Sequence, residues 1–492
     1  MAQQDLKESR IKKLNDLIGK KINPYPLKYD VTHKAAEIRD NFEKLEKAKV
    51  KIAGRLMLMR MHGKSGFGHV KDDSGKIQIY VALNFIGEEK LAFFKSLDIG
   101  DILGLEGEVF KTHTGEITVN VFDFTILSKS LLPLPEKWHG LSDVEVRYRQ
   151  RYLDLIINED VRESFKTRSR AIQLARSFLK EKGFLEVETP MMQPIYGGAY
   201  ARPFITHHNA LDMDLYLRIA PELYLKRLIV GGFEKVYELN RNFRNEGIST
   251  RHNPEFTMLE LYQAYADYND MMNICEDLVC YLVREIKGSL EIEYQGQKLS
   301  LNKPWKRIKY FDALQQFTGV DFSKIKDPEE ARSEAKKMGF EPDPKASLWE
   351  IANILFEEKV ETNLIQPTFI MDYPKELSPL AKQKPDDPEL VERFEPYIGG
   401  REIGNAFSEL NDPLEQRKRF EEQVEKRKQG NWEAHPMDMD FLTALEYGMP
   451  PTGGLGIGMD RIIMLLVDTN SIRDTILFPL LKPKAEEKGD GA

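Results

Sequence analysis

The sequence of 492 residues lacks several features that define specialised protein classes. Its only cysteines, Cys275 and Cys280, are too few for a disulfide framework or a cysteine-rich zinc module, and we expect both to be buried in a helix as small apolar side chains. No apolar run approaches the roughly 18 residues that cross a membrane, and the N-terminus is charged where a signal peptide would be apolar. We therefore predict a cytoplasmic protein without a membrane segment.

The common nucleotide-binding signatures are also missing. There is no G-x-x-x-x-G-K-[ST] sequence, and the glycines at 454, 456 and 458 are followed by Met459, which breaks the dinucleotide-binding spacing. If this protein uses ATP, it must bind it in another way.

Charge of one sign does not dominate the chain. The net charge of −8 argues against an indiscriminate nucleic-acid binder, but the distribution is uneven. Residues 1–130 contain 22 Lys and Arg against 18 Asp and Glu, which leaves −12 for the remainder. A mixed-charge surface can produce such a difference by chance, so the asymmetry alone assigns no partner.

The chain is too long for one hydrophobic core, so we expect several domains. Short β-rich runs between Val50 and Ser128 predict five strands, typical of an OB-like barrel or another small β module. After the Leu-Pro-rich stretch at 131–135 the pattern becomes mixed α and β. The predicted parts are an N-terminal helical extension (1–48), a barrel (49–130), a linker (131–160), an α and β domain (161–483) with a largely helical insertion (about 267–360), and a disordered tail (484–492).

Residues 236–262 read as two strands joined by a polar loop. In the second strand Phe256, Met258, Glu260 and Tyr262 share one face, and apolar residues occupy the other. In the first strand Arg244 and Glu246 would likewise share a face. This pattern predicts a ligand platform backed by a core, although a half-exposed hairpin with ordinary polar residues gives the same alternation.

A third segment, Gly453–Arg461 followed by an apolar run, predicts a glycine-rich turn before a buried helix. Glycines permit a close approach of the backbone to a ligand, and Arg461 at the start of the helix could project into a site.

Together these segments resemble the class II aminoacyl-tRNA synthetases. Residues 184–190 are similar to motif 1 of that family, Phe243–Glu246 with Phe256 to motif 2, and Gly454–Arg461 to motif 3. The resemblance implies a multidomain fold, in which an N-terminal five-stranded OB-fold β-barrel precedes an α+β catalytic domain with a mainly antiparallel sheet. It also implies a homodimer formed through the motif 1 region.

Local matches narrow the resemblance to the bacterial-type lysyl members of the family. They lie at Trp138–Leu141, Arg147–Asp154, Gly197–Ala199 and Gly399–Glu409. The resemblance implies an ATP-dependent lysine–tRNA ligase, which converts L-lysine and ATP to lysyl-adenylate and pyrophosphate and then charges tRNA(Lys).

The resemblance also implies roles at the ATP site. Arg244 would contact the α-phosphate and the amino-acid carboxylate, and Arg461 the γ-phosphate and adenine. Phe256 would stack on the adenine and Glu246 would accept from its amine, while His252 and Asn253 lie in a loop that closes over the phosphates. Glu395 and Glu402 resemble the ligands of Mg²⁺, which prefers oxygen donors.

A buried lysine ε-ammonium needs a carboxylate partner, since its desolvation would otherwise be uncompensated. Glu409 and Tyr262 match the family's positions for that role. By the same resemblance, Glu222, predicted at a helix start after Pro221, would hold the α-amino group together with the backbone of Gly198. The remaining lysine-binding residues implied by resemblance are Arg244, Glu260, Asn405 and Phe407.

In the barrel, four residues match the family's anticodon-reading positions: Arg60, Phe67, Gln78 and Glu116. OB domains read single-stranded bases by stacking and by edge hydrogen bonds. Phe67 and Gln78 could equally be ordinary strand residues.

Three alternatives remain open at this point. The first is an aspartyl or asparaginyl member of the same subgroup, which would need a cation facing the substrate side chain. The second is a paralogue that attaches a lysine-like group to a protein, and such paralogues lack the barrel. The third is a non-catalytic RNA-binding protein, which the complete motif 2 and motif 3 residues disfavour.

Overall fold

A computed structural model describes residues 2–135, 141 and 143–483, which form two compact units, Met1–Ser142 and Asp143–Ala492. Trp138, part of one sequence match, and the tail predicted at 484–492 lie outside the described residues. No helix in the described part of the chain combines the length and apolarity that spanning a bilayer requires.

The first unit is a closed five-stranded barrel with a helical N-terminal extension. Its helices are α1 (Ala2–Gly19), α2 (Ala35–Asp40), α3 (Phe42–Leu45) and α4 (Leu83–Ser96). Its strands are β1 (Lys49–His62), β2 (Ser65–Lys71), β3 (Lys76–Ala82), β4 (Ile102–Lys111) and β5 (Ile117–Ser128). The strand order is β1-β2-β3-β5-β4, and β4 closes the barrel against β1.

Alternating side chains build the barrel. In β1, Val50, Ile52 and Leu56 point inward and are buried, while the residues between them face outward. The helix α4, which sequence reasoning did not predict, covers part of the barrel with Leu91 and Phe94. The five strands occur where the sequence predicted them, so the OB-fold prediction is confirmed.

Buried charges fasten α1 to the barrel. Arg10 donates to the carbonyl oxygens of Ile99, Ser130 and Leu132 at 3.0–3.2 Å. Lys129, whose side chain is 1% exposed, pairs with Asp98 and Asp101. Lys13 of α1 donates to the same Asp98 at 2.7 Å. The helix is therefore held by the hydrogen bonds of Arg10 and Lys13 as well as by apolar packing, and the ammonium of Lys129 compensates the buried carboxylates that they meet.

The second unit combines helices with a large sheet. Its helices are α5 (Val144–Arg149), α6 (Arg151–Ile157), α7 (Glu159–Glu181), α8 (Glu222–Val230), α9 (Tyr268–Lys287), α10 (Tyr310–Thr318), α11 (Pro328–Lys337), α12 (Leu348–Leu355), α13 (Pro413–Lys428), α14 (Met439–Glu446) and α15 (Met459–Val467). A π-helical turn, Phe356–Val360, continues α12, and short 3₁₀ turns occupy Glu361–Asn363, Lys375–Leu377 and Ile472–Asp474.

The strands of this unit form three sheets. They are β6 (Leu185–Glu186), β7 (Met192–Gln193), β8 (Ile205–His208), β9 (Met213–Leu217), β10 (Lys235–Phe243), β11 (Glu255–Ala264), β12 (Glu291–Tyr294), β13 (Gln297–Ser300), β14 (Lys306–Lys309), β15 (Thr368–Pro374), β16 (Leu390–Tyr397), β17 (Gly404–Ser408) and β18 (Thr452–Gly458). The main sheet has the order β14-β15-β16-β17-β18-β11-β10-β6. It is antiparallel except at its two edges, where β14 pairs with β15 and β6 with β10 in parallel. The predicted mainly antiparallel α+β fold is confirmed.

One face of the main sheet carries a hydrophobic core. Leu259 and Leu261 of β11 and Leu455 and Ile457 of β18 pack there with α7, α9 and α15. Cys275 and Cys280 are buried in α9 as predicted, and neither forms a disulfide. Because strand side chains alternate, the residues between these apolar ones face the opposite surface of the sheet.

Two sequence-based expectations about this sheet are wrong. The glycine-rich segment is not a turn, because its glycines lie within β18, paired with both β11 and β17. Arg244 and Glu246 follow the end of β10 at Phe243, so strand alternation does not place them. The finer domain limits, including the proposed insertion, stay predictions. Within that segment α9 belongs to the core and β14 to the main sheet.

Candidate active site

A cavity of about 310 Å³ lies over the main sheet, on the face opposite the core. Its base is formed by alternate residues of three adjacent strands, β17, β18 and β11. The predicted ATP, lysine and metal residues all line it: Gly198, Glu222, Arg244, Glu246, His252, Asn253, Phe256, Glu260, Tyr262, Glu395, Glu402, Asn405, Phe407, Glu409 and Arg461. The fold thus brings together residues that span more than half of the sequence.

The glycines of β18 create the space for this cavity. Gly454 pairs across the sheet with Tyr262 and Phe407, and Gly456 pairs with Glu260 and Asn405. A Cβ on Gly454 would lie 2.6 Å from the ring of Tyr262 and would overlap the Glu409 carboxylate. Any side chain here would fill the cavity, so the glycines act by leaving room rather than by turning the chain.

At one end of the cavity, which we call the arginine end, Arg244, Phe256 and Arg461 come together. The guanidinium of Arg244 lies 5.1 Å from the centre of the Phe256 ring, and its buried Nε has no hydrogen-bond partner. Burial lowers the pKa of Arg244, and the negative charge of Glu246 opposes that shift. An arginine with an unsatisfied donor is suited to receive an anion.

Arg461 is held at the mouth of this end by Glu402. Its Nη1 donates to the backbone oxygen of Glu402 at 2.6 Å and to the carboxylate at 3.0 Å. Burial opposes its charge, but Glu402 outweighs burial and raises the pKa of Arg461. Arg461 lies in the first turn of α15, as predicted.

The segment between β10 and β11 forms a loop beside the arginine end. Ser249 bonds back to His252 through the backbone at 3.0 Å, and the side chains of the same pair lie 3.2 Å apart. Burial and the positive charge of Arg461 lower the pKa of His252, so its imidazole is neutral. Asn253 donates to the oxygen of Glu255 at 2.6 Å, and its own Oδ1 is buried without a partner.

The two predicted metal ligands lie near each other but differ in surroundings. Glu395 on β16 is nearly buried and accepts from Tyr373, Tyr397 and Arg393 at 2.5–2.7 Å. Glu402 precedes β17 in an irregular segment, so strand alternation does not set the direction of its side chain. In the described part of the chain, no three His, Cys, Asp or Glu side chains form a ready metal site.

A third carboxyl group, that of Glu361, nevertheless lies close enough to Glu402 to be affected by its charge. Burial, and then the charge of Glu402, raise the pKa of the neighbouring Glu361 to about 7. A divalent cation would relieve that repulsion, and carboxylate oxygens are the donors that magnesium prefers. The donor chemistry therefore fits a cation that completes its coordination with oxygens from a bound ligand.

The opposite end of the cavity, which we call the acidic end, contains Glu222, Glu260, Glu409 and Tyr262. Glu260 Oε2 accepts from the Tyr262 hydroxyl at 3.2 Å, whereas Glu260 Oε1 and Glu409 Oε1 are buried without a hydrogen-bond donor. Burial raises the pKa of Glu260 to about 8. Orphaned carboxylate oxygens in a cavity are a strong indication of a cationic ligand.

Gly198 closes the acidic end beside Glu222. Its φ of +86° lies in the left-handed region, and a Cβ would come within 2.7 Å of the Glu222 Cβ. Glu222 begins α8 directly after Pro221, as the sequence predicted. The position therefore requires glycine for both its conformation and its space.

Sequence reasoning missed two cations at the acidic end. Lys226, on α8, is fully buried, donates to Glu222 Oε1 at 2.6 Å and pairs closely with Glu409 Oε2. The i, i+4 spacing from Glu222 to Lys226 could have indicated the first pair, but the second depends on tertiary structure.

Arg393 on β16 is the second missed cation, and it lines the cavity. It donates to Asn405 Oδ1 at 2.8 Å and to Glu395 at 2.5 Å. The guanidinium of Arg393 therefore links Asn405, a predicted lysine-binding residue, to Glu395, a predicted metal ligand. Nothing in the strand pattern of the sequence indicated this link.

In the barrel unit, three of the predicted anticodon residues, Arg60, Phe67 and Gln78, lie on one face of adjacent strands, and the fourth, Glu116, directly precedes β5. Arg60 is the cross-strand partner of Phe67, whose ring lies 4.9 Å from that of Tyr80. Gln78 donates to Glu116 at 2.6 Å. Phe67 is 40% exposed, so its ring is accessible for stacking.

Comparison with known proteins agrees with this geometry. The family described as "tRNA synthetases class II (D, K and N)" matches residues 143–482, and "OB-fold nucleic acid binding domain" matches residues 50–127. A lysine–tRNA ligase of Carboxydothermus hydrogenoformans is 61% identical over 98% of this chain and 100% of its own length. That of Pelotomaculum thermopropionicum is 62% identical over 98% and 95%, respectively. By its sequence, its fold and the residues that line its cavity, this chain belongs to the class II tRNA synthetases of the D, K and N group.

Proposed function

We propose that this chain is a lysine–tRNA ligase, which activates L-lysine with ATP and transfers it to the 3′ end of tRNA(Lys). The observation that carries this proposal is the acidic end, where Glu409 and Glu260 line the cavity and each has a buried oxygen without a hydrogen-bond partner. Lysine is the amino acid whose side-chain ammonium would satisfy such oxygens. Relatives that match nearly the whole chain are named lysine–tRNA ligase, which supports the same substrate.

The cavity also supports a mechanism for adenylate formation. The lysine carboxylate attacks the α-phosphorus of ATP, the bond from that phosphorus to the bridging oxygen breaks, and pyrophosphate leaves. Arg244, at the arginine end, would hold the carboxylate and the α-phosphate together and stabilise the charge that develops. Glu222 and the backbone of Gly198 would hold the α-amino group, while Glu409 and Tyr262 hold the ε-ammonium. Glu260, Asn405 and Phe407 would form the wall.

ATP would lie at the arginine end. Phe256 offers a ring for adenine stacking, and the flat guanidinium of Arg461 could cover the opposite face and reach the γ-phosphate. Glu246 would accept from the adenine amine. His252 and Asn253 lie in the loop that borders the phosphates, and the neutral state of His252 avoids competition with the arginines for that charge.

Magnesium would be held by Glu395 and Glu402 together with phosphate oxygens. The ion would neutralise phosphate charge when bound. The oxygen donors and the repulsion between Glu361 and Glu402 support this assignment.

We further propose that the barrel reads the anticodon of tRNA(Lys) through Arg60, Phe67, Gln78 and Glu116. The common face of Arg60, Phe67 and Gln78 and the exposed Phe67 ring support this role. The family also implies a homodimer formed through the motif 1 region and a cytoplasmic location, and both stay predictions.

Aspartate and asparagine are the nearest alternative substrates. Their side chains would need a cation or an amide donor facing the cavity. Arg393 lines the cavity, but its guanidinium already donates to Asn405 and Glu395. Lys226, the ionic partner of Glu409, does not line the cavity, so Glu409 and Glu260 keep carboxylates at its surface. The barrel argues against a protein-modifying paralogue, and the complete set of site residues argues against a non-catalytic one.

ATP–pyrophosphate exchange across a panel of amino acids, with and without magnesium, tests the proposal. We expect exchange with lysine that depends on magnesium. Exchange with aspartate or asparagine instead of lysine would show that one of these amino acids is the substrate. No exchange with any amino acid would favour the non-catalytic alternative.

A further inference from the structure

Lys226 is a fully buried cation in contact with two of the carboxylates that would bind lysine. Its ammonium donates to Glu222 Oε1 at 2.6 Å and pairs with Glu409 Oε2, and its side chain has no exposed surface. The mechanism proposed above makes no use of it. The presence of the Lys226 side chain beside a pocket that would bind free lysine therefore needs a physical explanation.

The geometry separates Lys226 from the substrate side of the pocket. Glu222 and Glu409 both line the cavity, whereas Lys226 does not. Its ammonium lies 5.4 Å from the ring centre of Phe407 and 5.9 Å from that of Phe441 on α14. Lys226 thus approaches the carboxylates from behind, and the oxygen of Glu409 that faces the cavity, Oε1, remains without a hydrogen-bond donor.

The balance of charge at the acidic end explains what the ammonium of Lys226 contributes. Three buried carboxylates, Glu222, Glu260 and Glu409, lie at the acidic end. Burial raises the pKa of each, the charge of Glu222 raises the pKa of Glu260 and Glu409 further, and the charge of Glu260 also raises the pKa of Glu409. Lysine brings two ammonium groups, while its carboxylate belongs with Arg244. One fixed ammonium reduces three negative charges to two, which matches the substrate.

Position matters as much as charge. A carboxylate with one oxygen fixed from behind cannot rotate away from a ligand in front, so it is already oriented when lysine arrives. Burial opposes the charge on Lys226, but its two carboxylate partners outweigh burial and raise its pKa. His435 is the other titratable group affected by Lys226, and burial together with that ammonium lowers its pKa to about 4, so it remains neutral.

We propose that Lys226 is a positioning residue for substrate specificity, which holds Glu222 and Glu409 ionised and oriented so that the pocket accepts an amino acid with a second ammonium group. This inference rests on the proposed lysine–tRNA ligase activity.

Lys226→Met tests it, since methionine is of similar length and keeps the packing against Phe407 and Phe441. We expect the KM for lysine in pyrophosphate exchange to rise about tenfold or more, because removing one partner of a buried charge pair leaves the others uncompensated. The KM for ATP should stay within about twofold, as Lys226 lies outside the arginine end. The KM for lysine should also fall more steeply with rising pH than in the unmodified protein, because Glu409 as well as Glu260 must then ionise as lysine binds.

Lys129→Met is the matched control. Lys129 is a similarly buried lysine between two carboxylates, but it lies in the barrel unit. The Lys129→Met substitution should lower the thermal stability of the protein. It should leave the KM for lysine, and the dependence of that KM on pH, unchanged. Lys226→Gln, whose amide can still donate to both carboxylates, should recover part of the lysine affinity.

The outcomes separate this inference from the function itself. No lysine exchange by the unmodified protein would refute the proposed function. Normal exchange by the unmodified protein, with an unchanged or lower KM for lysine in Lys226→Met, would overturn the positioning role alone. Loss of folding in both Lys226 variants, with Lys129→Met folded, would show a purely structural residue and overturn it as well.

Discussion

The two carboxylate oxygens of Glu409 meet different surroundings. Oε2 is paired with Lys226, while Oε1 lies over Gly454 without a donor. Burial raises the pKa of the Glu409 carboxyl, and the ammonium of Lys226 opposes that rise. In the proposed function, this free oxygen is the atom that would accept from the ε-ammonium of lysine.

Replacement of Glu409 by glutamine should remove lysine selectivity while ATP binding persists. The amide keeps the volume but loses the charge that compensates the ε-ammonium, so we expect the KM for lysine to rise about 30-fold or more. Kinetics of exchange at varied lysine and ATP would measure this. Glu421→Gln, at an exposed position of α13, is the control, and an unchanged lysine KM in Glu409→Gln would refute the pocket assignment.

Glu260 should couple lysine binding to pH. Its pKa is raised to about 8 by burial and by the charge of Glu222, while the Tyr262 hydroxyl, Arg218 and Arg244 oppose the rise. In the empty pocket it is mostly protonated at neutral pH, and a bound ammonium favours its ionised form. Lysine affinity should therefore increase as pH rises towards 8, by at most about tenfold per pH unit for one released proton.

Calorimetric titration of lysine at pH 7 in buffers of different ionisation enthalpy would detect that proton. Glu260→Gln should remove the buffer dependence, whereas Glu421→Gln should keep it. A binding enthalpy that is the same in all buffers for the unmodified protein would contradict this prediction.

Among the elements, β18 is the one on which the cavity most directly depends. Its odd-numbered residues Leu455 and Ile457 belong to the core, and Gly454 and Gly456 lie on the cavity face. A strand with no side chains on one face can form the centre of a sheet and still leave a ligand-sized space above it.

Gly454→Ala should block lysine binding without unfolding the protein. The new Cβ would overlap Glu409 and press on Tyr262, so we expect the KM for lysine to rise about tenfold or more, given the usual cost of overpacking. Gly19→Ala, where a Cβ meets no atom within 4 Å, is the control. Circular dichroism would check folding, and normal lysine kinetics in Gly454→Ala would show that the ligand lies elsewhere.

On the scale of the whole molecule, the two units should contribute separable activities. The predicted anticodon residues lie in the barrel unit and the cavity lies in the other. Amino-acid activation needs only the cavity, whereas transfer also needs tRNA.

Phe67→Ala should therefore impair charging but not exchange. Loss of one stacking ring costs roughly 1–3 kcal/mol, so we expect the KM for tRNA(Lys) to rise about 5- to 150-fold. Phe85→Ala, which removes a similarly exposed ring from the same unit, is the control. Equal effects of the two variants, or slower exchange in Phe67→Ala, would contradict the assignment.

The sequence by itself determined the elements whose patterns are local. Short β-rich runs predicted the barrel strands. Alternation predicted which residues of β11 share the face that the cavity occupies, because a strand must direct successive side chains to opposite faces. Family resemblance supplied the residues of the cavity, and the described structure places all of them there. These predictions succeeded because they depend on residues that are close in sequence or on a matched motif.

Tertiary structure alone decided the rest. Whether Gly453–Gly458 turns or extends depends on β11 and β17, which pair with it from both sides, and no local signal reports that pairing. The contact of Lys226 with Glu409 joins α8 to the end of β17, far apart in the chain. The partner of a buried charge is set by tertiary packing and not by nearby sequence. The ionic contacts that would select lysine therefore could not be predicted from the sequence.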